Sequence, residues 1–374
     1  MASRLGRLCG LLVAGALSAW LAAAPAAARA VVGDSLVVYS APAISALFDA
    51  LVEPFAEHMR EKFGIPVRVD VVTTSVPVAW TALETAWPKP AGDVYILYEQ
   101  NIREGIRKGY FQPVRPYFSD AEWARFDPEA LRMMDTHGYA APMIMTAIVL
   151  AVQDSLPEDA VTGWADLSGE RLKGRFTIES ALSVGAGYNV VAAAALTEGA
   201  DWRDWFKEGR FDEAAARPTL ERVRGWADNA LTMTRGSGTI RPLLARGEAL
   251  AATWWWANAV QEIRNGAPLR VVYPKEGTVM AVQAGPVVSA ATTNPLAAME
   301  WVRFVHSDFA GRTADRLNYL GRIPFVDEEP TPEWKEFMSK AKKVPIDEFR
   351  ATVFDPAYNR AFIDAYSRIV IEGH

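Results

Sequence analysis

The strongest constraint in this chain is a repeated alternation of short apolar runs with amphipathic stretches of helical period. Ser35–Tyr39 (SLVVY) reads as a strand closed by Ser40-Ala41-Pro42. Leu47, Leu51, Phe55, Met59 and Phe63 then recur every four residues, which gives one apolar helix face, and Gly64 is a natural helix stop. A strand over 66–72, a helix over 77–87 and a strand over 93–98 continue the pattern. Such alternation points to parallel strands covered by helices on both faces. Further on, 143–152 is a long apolar strand candidate opened by Pro142. A strand at 174–179 leads through the turn 183–187 into a helix over 188–198. Helices are expected at 202–217, 220–231 and 240–246, with a strand over 250–256. Strands over 278–284 and 287–290 flank a bend at Gly285-Pro286, and helices are expected at 296–306, 333–342 and 358–369. The fold class is therefore α/β.

The first thirty residues follow a different logic. Arg4 and Arg7 precede an apolar, Ala-rich run from Leu8 to about Ala24, and Ala28-Arg29-Ala30 is an A-x-A cleavage signal. This is the tripartite pattern of a secretory signal peptide, with cleavage expected after Ala30 and a periplasmic destination. The apolar run is short and Ala-rich for a membrane anchor, and no basic stop-transfer cluster follows. The single cysteine, Cys9, would leave with the leader. The mature chain would then have no thiol nucleophile, disulfide or cysteine metal site.

The full chain of 374 residues has 39 Lys+Arg against 45 Asp+Glu, a net charge of −6. Removing the leader takes away three arginines and no acid, so the mature protein is more acidic still. A nucleic-acid partner is not expected of it. Enzyme signatures are missing: there is no G-x-S-x-G elbow, Walker loop or H-E-x-x-H. His58, His137, His306 and His374 are scattered, and each reads as a surface or packing residue. No cofactor, metal site or catalytic residue is expected.

What remains is a set of polar strand ends. In open α/β sheets, ligands bind beyond the carboxyl ends of strands. Ser40, Thr74-Ser75 and Tyr98-Glu99 close the first three strands. Ser183, Gly185, Ala186, Gly187 and Tyr188 open a helix after another. Unpaired N–H groups at such a helix start suit an anion, and glycines allow close approach. Tight helix–strand packing explains the same glycines equally well. If Trp254-Trp255-Trp256 is a strand, Trp254 and Trp256 share a face, as core or as stacking surface. Gln283 offers a neutral polar contact.

Taken together, the export signal, LVVYSAP, DVYILYEQN, GYAAPMIMTAIVLAVQ, SALSVGAGYNVVAAAAL and VVYPKEGTVMAVQAGPVVSAATTNPLAAMEWVRFV resemble an extracellular solute-binding protein of a bacterial ABC importer. The resemblance is to the type II, two-lobed group that includes iron(III)-, polyamine-, thiamine- and phosphonate-binding proteins. It implies two α/β lobes with mixed, mostly parallel sheets joined by two crossover hinge segments. Lobe one would hold 31–141 and 286–374, and lobe two 142–285. It also implies hinge closure on a small solute, an inner-membrane ABC permease as partner and a monomer. Within the group, ferric binders commonly use adjacent tyrosines, and this chain has no Tyr-Tyr pair. Polyamine binders resemble PKEGxxxWxD, whereas here Ala281 and Gln283 stand at the Trp and Asp places. The expected solute is anionic or zwitterionic: a phosphonate, phosphate ester or carboxylate. A polyamine, thiamine or iron complex is the alternative within the group, and an exported enzyme of similar architecture the alternative outside it.

Overall fold

The computed structural model describes residues 34–182 and 186–374. The expected leader, Ser183 and Gly185 lie outside the described residues. The strands are β1 (Ser35–Ser40), β2 (Arg68–Thr73), β3 (Val94–Leu97), β4 (Phe111–Gln112), β5 (Ile144–Gln153) and β6 (Phe176–Glu179). There follow β7 (Phe206–Lys207), β8 (Arg210–Phe211), β9 (Thr232–Thr234), β10 (Ala251–Trp255), β11 (Leu269–Val272), β12 (Thr278–Ser289) and β13 (Lys343–Pro345). The helices are α1 (Ser45–Phe63), α2 (Val76–Ala86), α3 (Glu99–Lys108), α4 (Asp120–Trp123), α5 (Pro128–Met134), α6 (Ala186–Glu198) and α7 (Glu213–Asn229). Beyond them come α8 (Ser237–Ala245), α9 (Trp256–Arg264), α10 (Pro295–Val305), α11 (Asp308–Arg316), α12 (Pro332–Lys340), α13 (Asp347–Val353) and α14 (Pro356–Tyr366).

One path of paired strands runs β2-β1-β3-β12-β5-β10-β6-β9 through the molecule. Its two ends are parallel α/β sheets: β1 pairs β2 and β3, and β6 pairs β9 and β10, all in parallel. Two long antiparallel strands join them. β12 pairs β5 over Met280–Ala284, then β3 over Gly285–Val288. β5 in turn pairs β10 over Ile148–Val152. Each crossing strand thus belongs half to one sheet and half to the other, and the fold is two α/β lobes joined by two crossovers. β3 is buried at all four positions, as a central strand covered on both faces must be.

The expected break at Gly285-Pro286 is not a break. β12 runs through both residues, with a register shift between Val282 and Ala284. Pro286 is tolerated because β3 pairs one edge there, while the other edge lies between the β5 and β4 pairings. Gly285 is required by contact, since a Cβ there would sit 2.4 Å from Met134 Cε and 2.7 Å from the Ala141 carbonyl oxygen. The two expected helices at 202–217 and 220–231 also differ. The chain forms a 3₁₀ turn at Trp202–Trp205 and a hairpin β7–β8. A single helix α7 then opens where Asp212 Oδ1 accepts from the Ala215 N–H at 3.1 Å.

The apolar core falls into clusters that follow this division. One joins β1 and β3 to α1, α10 and α11 through Leu36, Phe55, Ile96 and Trp301. Another joins β6, α6 and α7 through Ile178, Val191 and Trp226, and it also takes in Phe349, Phe362, Tyr366 and Ile369. The C-terminal segment, expected with lobe one, therefore packs on the helices of lobe two.

Candidate functional site

The strand ends of lobe one come together. The Thr74 N–H donates to the Ser40 carbonyl at 2.9 Å, so the ends of β1 and β2 lie side by side. Ser40 is buried and its Oγ donates to the Ala41 carbonyl, while Ser75 is exposed at the start of α2. Tyr98 precedes α3 and Glu99 is its first residue. Glu99 is completely buried.

A buried carboxylate needs a partner, and sequence reading did not supply one. The partner is Arg350 of α13, 251 positions away, whose Nε donates to Glu99 Oε1 at 2.6 Å. Arg350 is itself fully buried, and its Nη1 donates to Asn189 Oδ1 of α6 at 3.0 Å. One guanidinium from the C-terminal segment thus ties the start of α3 in lobe one to a helix of lobe two. One turn back on α13, Asp347 Oδ1 accepts from the Val282 N–H at 3.0 Å, at the register shift of β12. Glu179, the last residue of β6, and Glu99 both act on Tyr98 from this seam, together with Arg350.

Two carboxylates, Glu99 and Asp347, therefore lie within the field of one guanidinium out of water. Unlike charges gain and like charges lose about 4 kcal/mol at 4 Å in the effective dielectric of a protein. Desolvation, then the nearby Glu99, push the Asp347 carboxyl up to about 7. Burial raises the Tyr98 phenol above its ordinary range, with Arg350 opposing. Asp347 Oδ2, Arg350 Nη2 and Asn189 Nδ2 have no hydrogen-bond partner among the described residues.

Other expected site residues go elsewhere. Tyr188 lies in the core, its ring 4.5 Å from Phe354 and 5.7 Å from Phe362, and its hydroxyl meets Asn359. Its ring packs the C-terminal helices against α6 instead of lining a cleft. Gly187 serves packing, because a Cβ there would fall 2.1 Å from the Ser180 carbonyl oxygen. The turn before it is held from behind, as the Ala181 N–H donates to the Tyr366 hydroxyl at 3.2 Å. Ala186 opens α6, and its side chain, like those of Ser183 and Gln283, is outside the described residues.

The tryptophans correct the strand reading. β10 ends at Trp255, and Trp256 begins α9, so the two-residue period stops short. Trp254 and Trp256 are both buried, and Trp256 packs 5.1 Å from Phe337 and donates to the Tyr273 hydroxyl at 3.3 Å. Trp255 is the half-buried member, packed against two core clusters at the carboxyl end of its strand. That position, the last strand residue of the WWW run, was the available signal for it. Nothing comparable announces Arg350 or Asp347.

On the outer side of α13 runs a groove of about 770 Å³ between α2–α3 and the C-terminal helices, lined by Trp80, Gln100, Arg107, Trp202, Glu348 and Tyr358 among others. No group of three or more His, Cys, Asp or Glu among the described residues is placed to hold a metal ion. No helix among them is long and apolar enough to cross a membrane.

Residues 50–345 match the family model of bacterial extracellular solute-binding proteins. A protein of Haemophilus influenzae without assigned function is 31% identical over 115 residues, which is 31% of this chain and 29% of that protein. The chain thus matches less than a third of that curated relative's length. Among solved structures, the periplasmic binding protein AfuA from Actinobacillus pleuropneumoniae, with fructose-6-phosphate bound, has a TM-score of 0.68 at 17% identity, covering 90% of this chain and 99% of that one. A ferric binding protein from Campylobacter jejuni has a TM-score of 0.65 at 18% identity, covering 89% and 99%. The spermidine/putrescine substrate-binding protein PotD from Streptococcus pneumoniae has a TM-score of 0.63 at 14% identity, covering 91% and 98%. At these identities the likeness carries the fold alone.

Proposed function

The chain belongs to the bacterial extracellular solute-binding proteins, a family of binders and not of enzymes, and we propose that it is the periplasmic substrate-binding component of an ABC importer. In this reading it is exported with cleavage after Ala30, works as a monomer without nucleic acid, and closes two lobes on one small organic solute for delivery to the permease. Lobe one is 31–141 with 286–342, and lobe two is 142–285. The C-terminal segment 343–374 sits with lobe two because its apolar residues pack there.

Neighbours of this fold include a protein with bound fructose-6-phosphate, a ferric binding protein and a spermidine/putrescine binding protein, so the fold does not choose the solute. The seam between the lobes does bear on it. One guanidinium supports an acid group on the solute, but the carboxyl groups of Glu99 and Asp347 oppose a pure anion. Of the anionic and zwitterionic solutes expected from sequence, we favour the zwitterionic. The observation that carries this reading is the under-neutralised polar network joining Glu99, Asn189, Asp347 and Arg350 across the lobes. A thermal-shift screen of the chain 31–374 tests it. A solute at 100 times its Kd adds about 2.7 kcal/mol to the folded state, which shifts Tm visibly. A panel of phosphonates, phosphate esters, amino acids, polyamines, thiamine and ferric citrate that moves nothing argues against the reading.

A further inference from the structure

We propose that α13 is a latch between the lobes: apolar packing fastens it to lobe two, the Arg350–Glu99 ion pair fastens it to lobe one, and loss of that pair lets the lobes part. The proposal rests on how α13 is attached and not on which solute the chain binds. The first observation is an asymmetry of attachment. The buried apolar residues of the C-terminal segment, among them Ile346, Phe349, Val353 and Tyr366, fall in the core cluster of β6, α6 and α7, which holds no residue of 31–141 or 286–342. α13 also lies beside α3 and α5 of lobe one, yet none of its buried apolar residues joins the clusters of those helices. What crosses to lobe one is polar: Arg350 Nε donates to Glu99 Oε1 at 2.6 Å. The second observation is the mounting of that bond. Arg350 Nη1 donates to Asn189 Oδ1 of α6, and Asp347 Oδ1 accepts from the Val282 N–H of β12, both at 3.0 Å. These two bonds hold α13 from the lobe-two side whether or not Glu99 is in place. The third is the groove. Gln100 and Ala351, the residues after Glu99 and Arg350, both line the space of about 770 Å³ that separates α2–α3 from Trp202, Glu348 and Tyr358. One residue along from the pair, the two walls are already apart.

The two kinds of attachment respond differently to separation. Apolar surface pulled from a cluster meets water at a cost proportional to its area. A buried ion pair regains hydration at both ends when it parts, so its net hold is modest and reversible. A motion that swings lobe one away therefore breaks at Glu99–Arg350 and leaves α13 on lobe two. The neighbouring arginines do not double the latch. Arg103 of α3 donates to the Met133 and Met134 carbonyls within lobe one, at 3.1 and 3.2 Å. Arg203 pairs with Glu348 on the outer side of α13, and both ride with lobe two. Removing one charge acts more strongly than parting the pair. Glu99→Gln strands a fully buried guanidinium, and opening brings water to it. Lobe one supplies the control. Glu300 is also a buried carboxylate, but His58, Lys62 and Arg303 around it all belong to lobe one. Neutralising Glu300 removes bonds of the same kind without touching the relation of the lobes.

The test needs no solute. The chain 31–374 has no cysteine, so nitroxide labels at Arg107→Cys on α3 and Glu221→Cys on α7, both exposed positions, report the separation of the lobes by double electron–electron resonance. With the pair intact, the distances should form one dominant population. Glu99→Gln should add a population at longer distance and raise the ratio of open to closed forms roughly ten-fold or more, as the loss of one charge-assisted hydrogen bond requires. Glu300→Gln should leave the distribution as it is. Arg350→Lys keeps the charge but lacks the fork that meets Glu99 and Asn189 at once. It should shift the ratio the same way by less, and it serves if Glu99→Gln does not fold. An unchanged distribution in folded Glu99→Gln overturns the latch; where that variant does not fold, an unchanged one in Arg350→Lys does so. A shift of equal size in Glu300→Gln also overturns it. So does a chain that populates the longer distance equally with the pair intact, because nothing is then held.

Discussion

Glu300 and Asp347 are both buried carboxylates, and they are settled in opposite ways. Glu300, on α10 in lobe one, lies within 3.2 Å of His58, 3.1 Å of Lys62 and 2.9 Å of Arg303. Burial works against its charge, but bonds from His58 and Lys62 and the field of Arg303 win and hold its pKa below the ordinary carboxylate value. Asp347, at the seam, has Arg350 as its nearby cation and Glu99 as a competing acid, and burial and Glu99 win. The first arrangement is what stability alone selects. The second keeps an electrostatic deficit where the lobes and the C-terminal segment meet. A folded protein tolerates such a deficit at a site that something else completes.

The comparison can be broken most forcefully at Arg350. Arg350→Met leaves Glu99 buried without its counter-charge and should cost about 3–5 kcal/mol. Chemical denaturation would read the loss, and a cost under 1 kcal/mol would mean that the seam is wet and its charges unimportant. Tyr188→Ala should come next, at about 3 kcal/mol or more, because it opens a cavity between α6 and the C-terminal helices. Loss of a solute's affinity without loss of stability in that variant would return Tyr188 to the binding site.

The pH dependence sharpens the contrast because the signs differ. The folded-state pKa of Asp347 lies above its ordinary 3.8, at about 7. Its contribution is therefore fully present below pH 4 and is lost as pH rises toward 7, on the order of a few kcal/mol at most. For Glu300 the folded value is depressed, so its contribution is present above its ordinary 4.5 and is lost as pH falls through the folded value. Thermal unfolding between pH 4 and 8 should show the first slope in the wild type and a flatter one in Asp347→Asn. An unchanged slope would remove Asp347 from the account. Glu300→Gln should cost only about 1 kcal/mol near neutrality, since Arg303 keeps Glu122 and Lys62 is partly solvated. The smallest effect is expected at Ser75, where exposure and the absence of a side-chain cap put Ser75→Ala within about 0.5 kcal/mol of wild type.

Much of the fold was legible because its signals are local. The stripe Leu47–Phe63 made α1, the run 143–152 made β5, and Pro142 marked where the crossover begins. Legibility failed where a residue's neighbours are remote. Gly209 at φ 72 and the Asp212 cap turned an expected helix at 202–217 into a hairpin and one later helix. The Trp254–Trp256 run read as one strand because period two cannot tell a strand end from a strand middle. Of the expected site, Tyr98 and Glu99 reach the seam, whereas Tyr188, Trp254, Trp256 and Gly187 serve packing.

By itself, the order of residues determined the α/β class and the polar character of the strand ends, since hydrophobic period and turn chemistry act over a few residues. Only the tertiary structure decided which acids are short of a counter-ion. That property belongs to Glu99, Asp347 and Arg350 together. These three are brought from α3 and α13 into one dry seam, where Coulomb interactions depend on distance and burial and not on position along the chain.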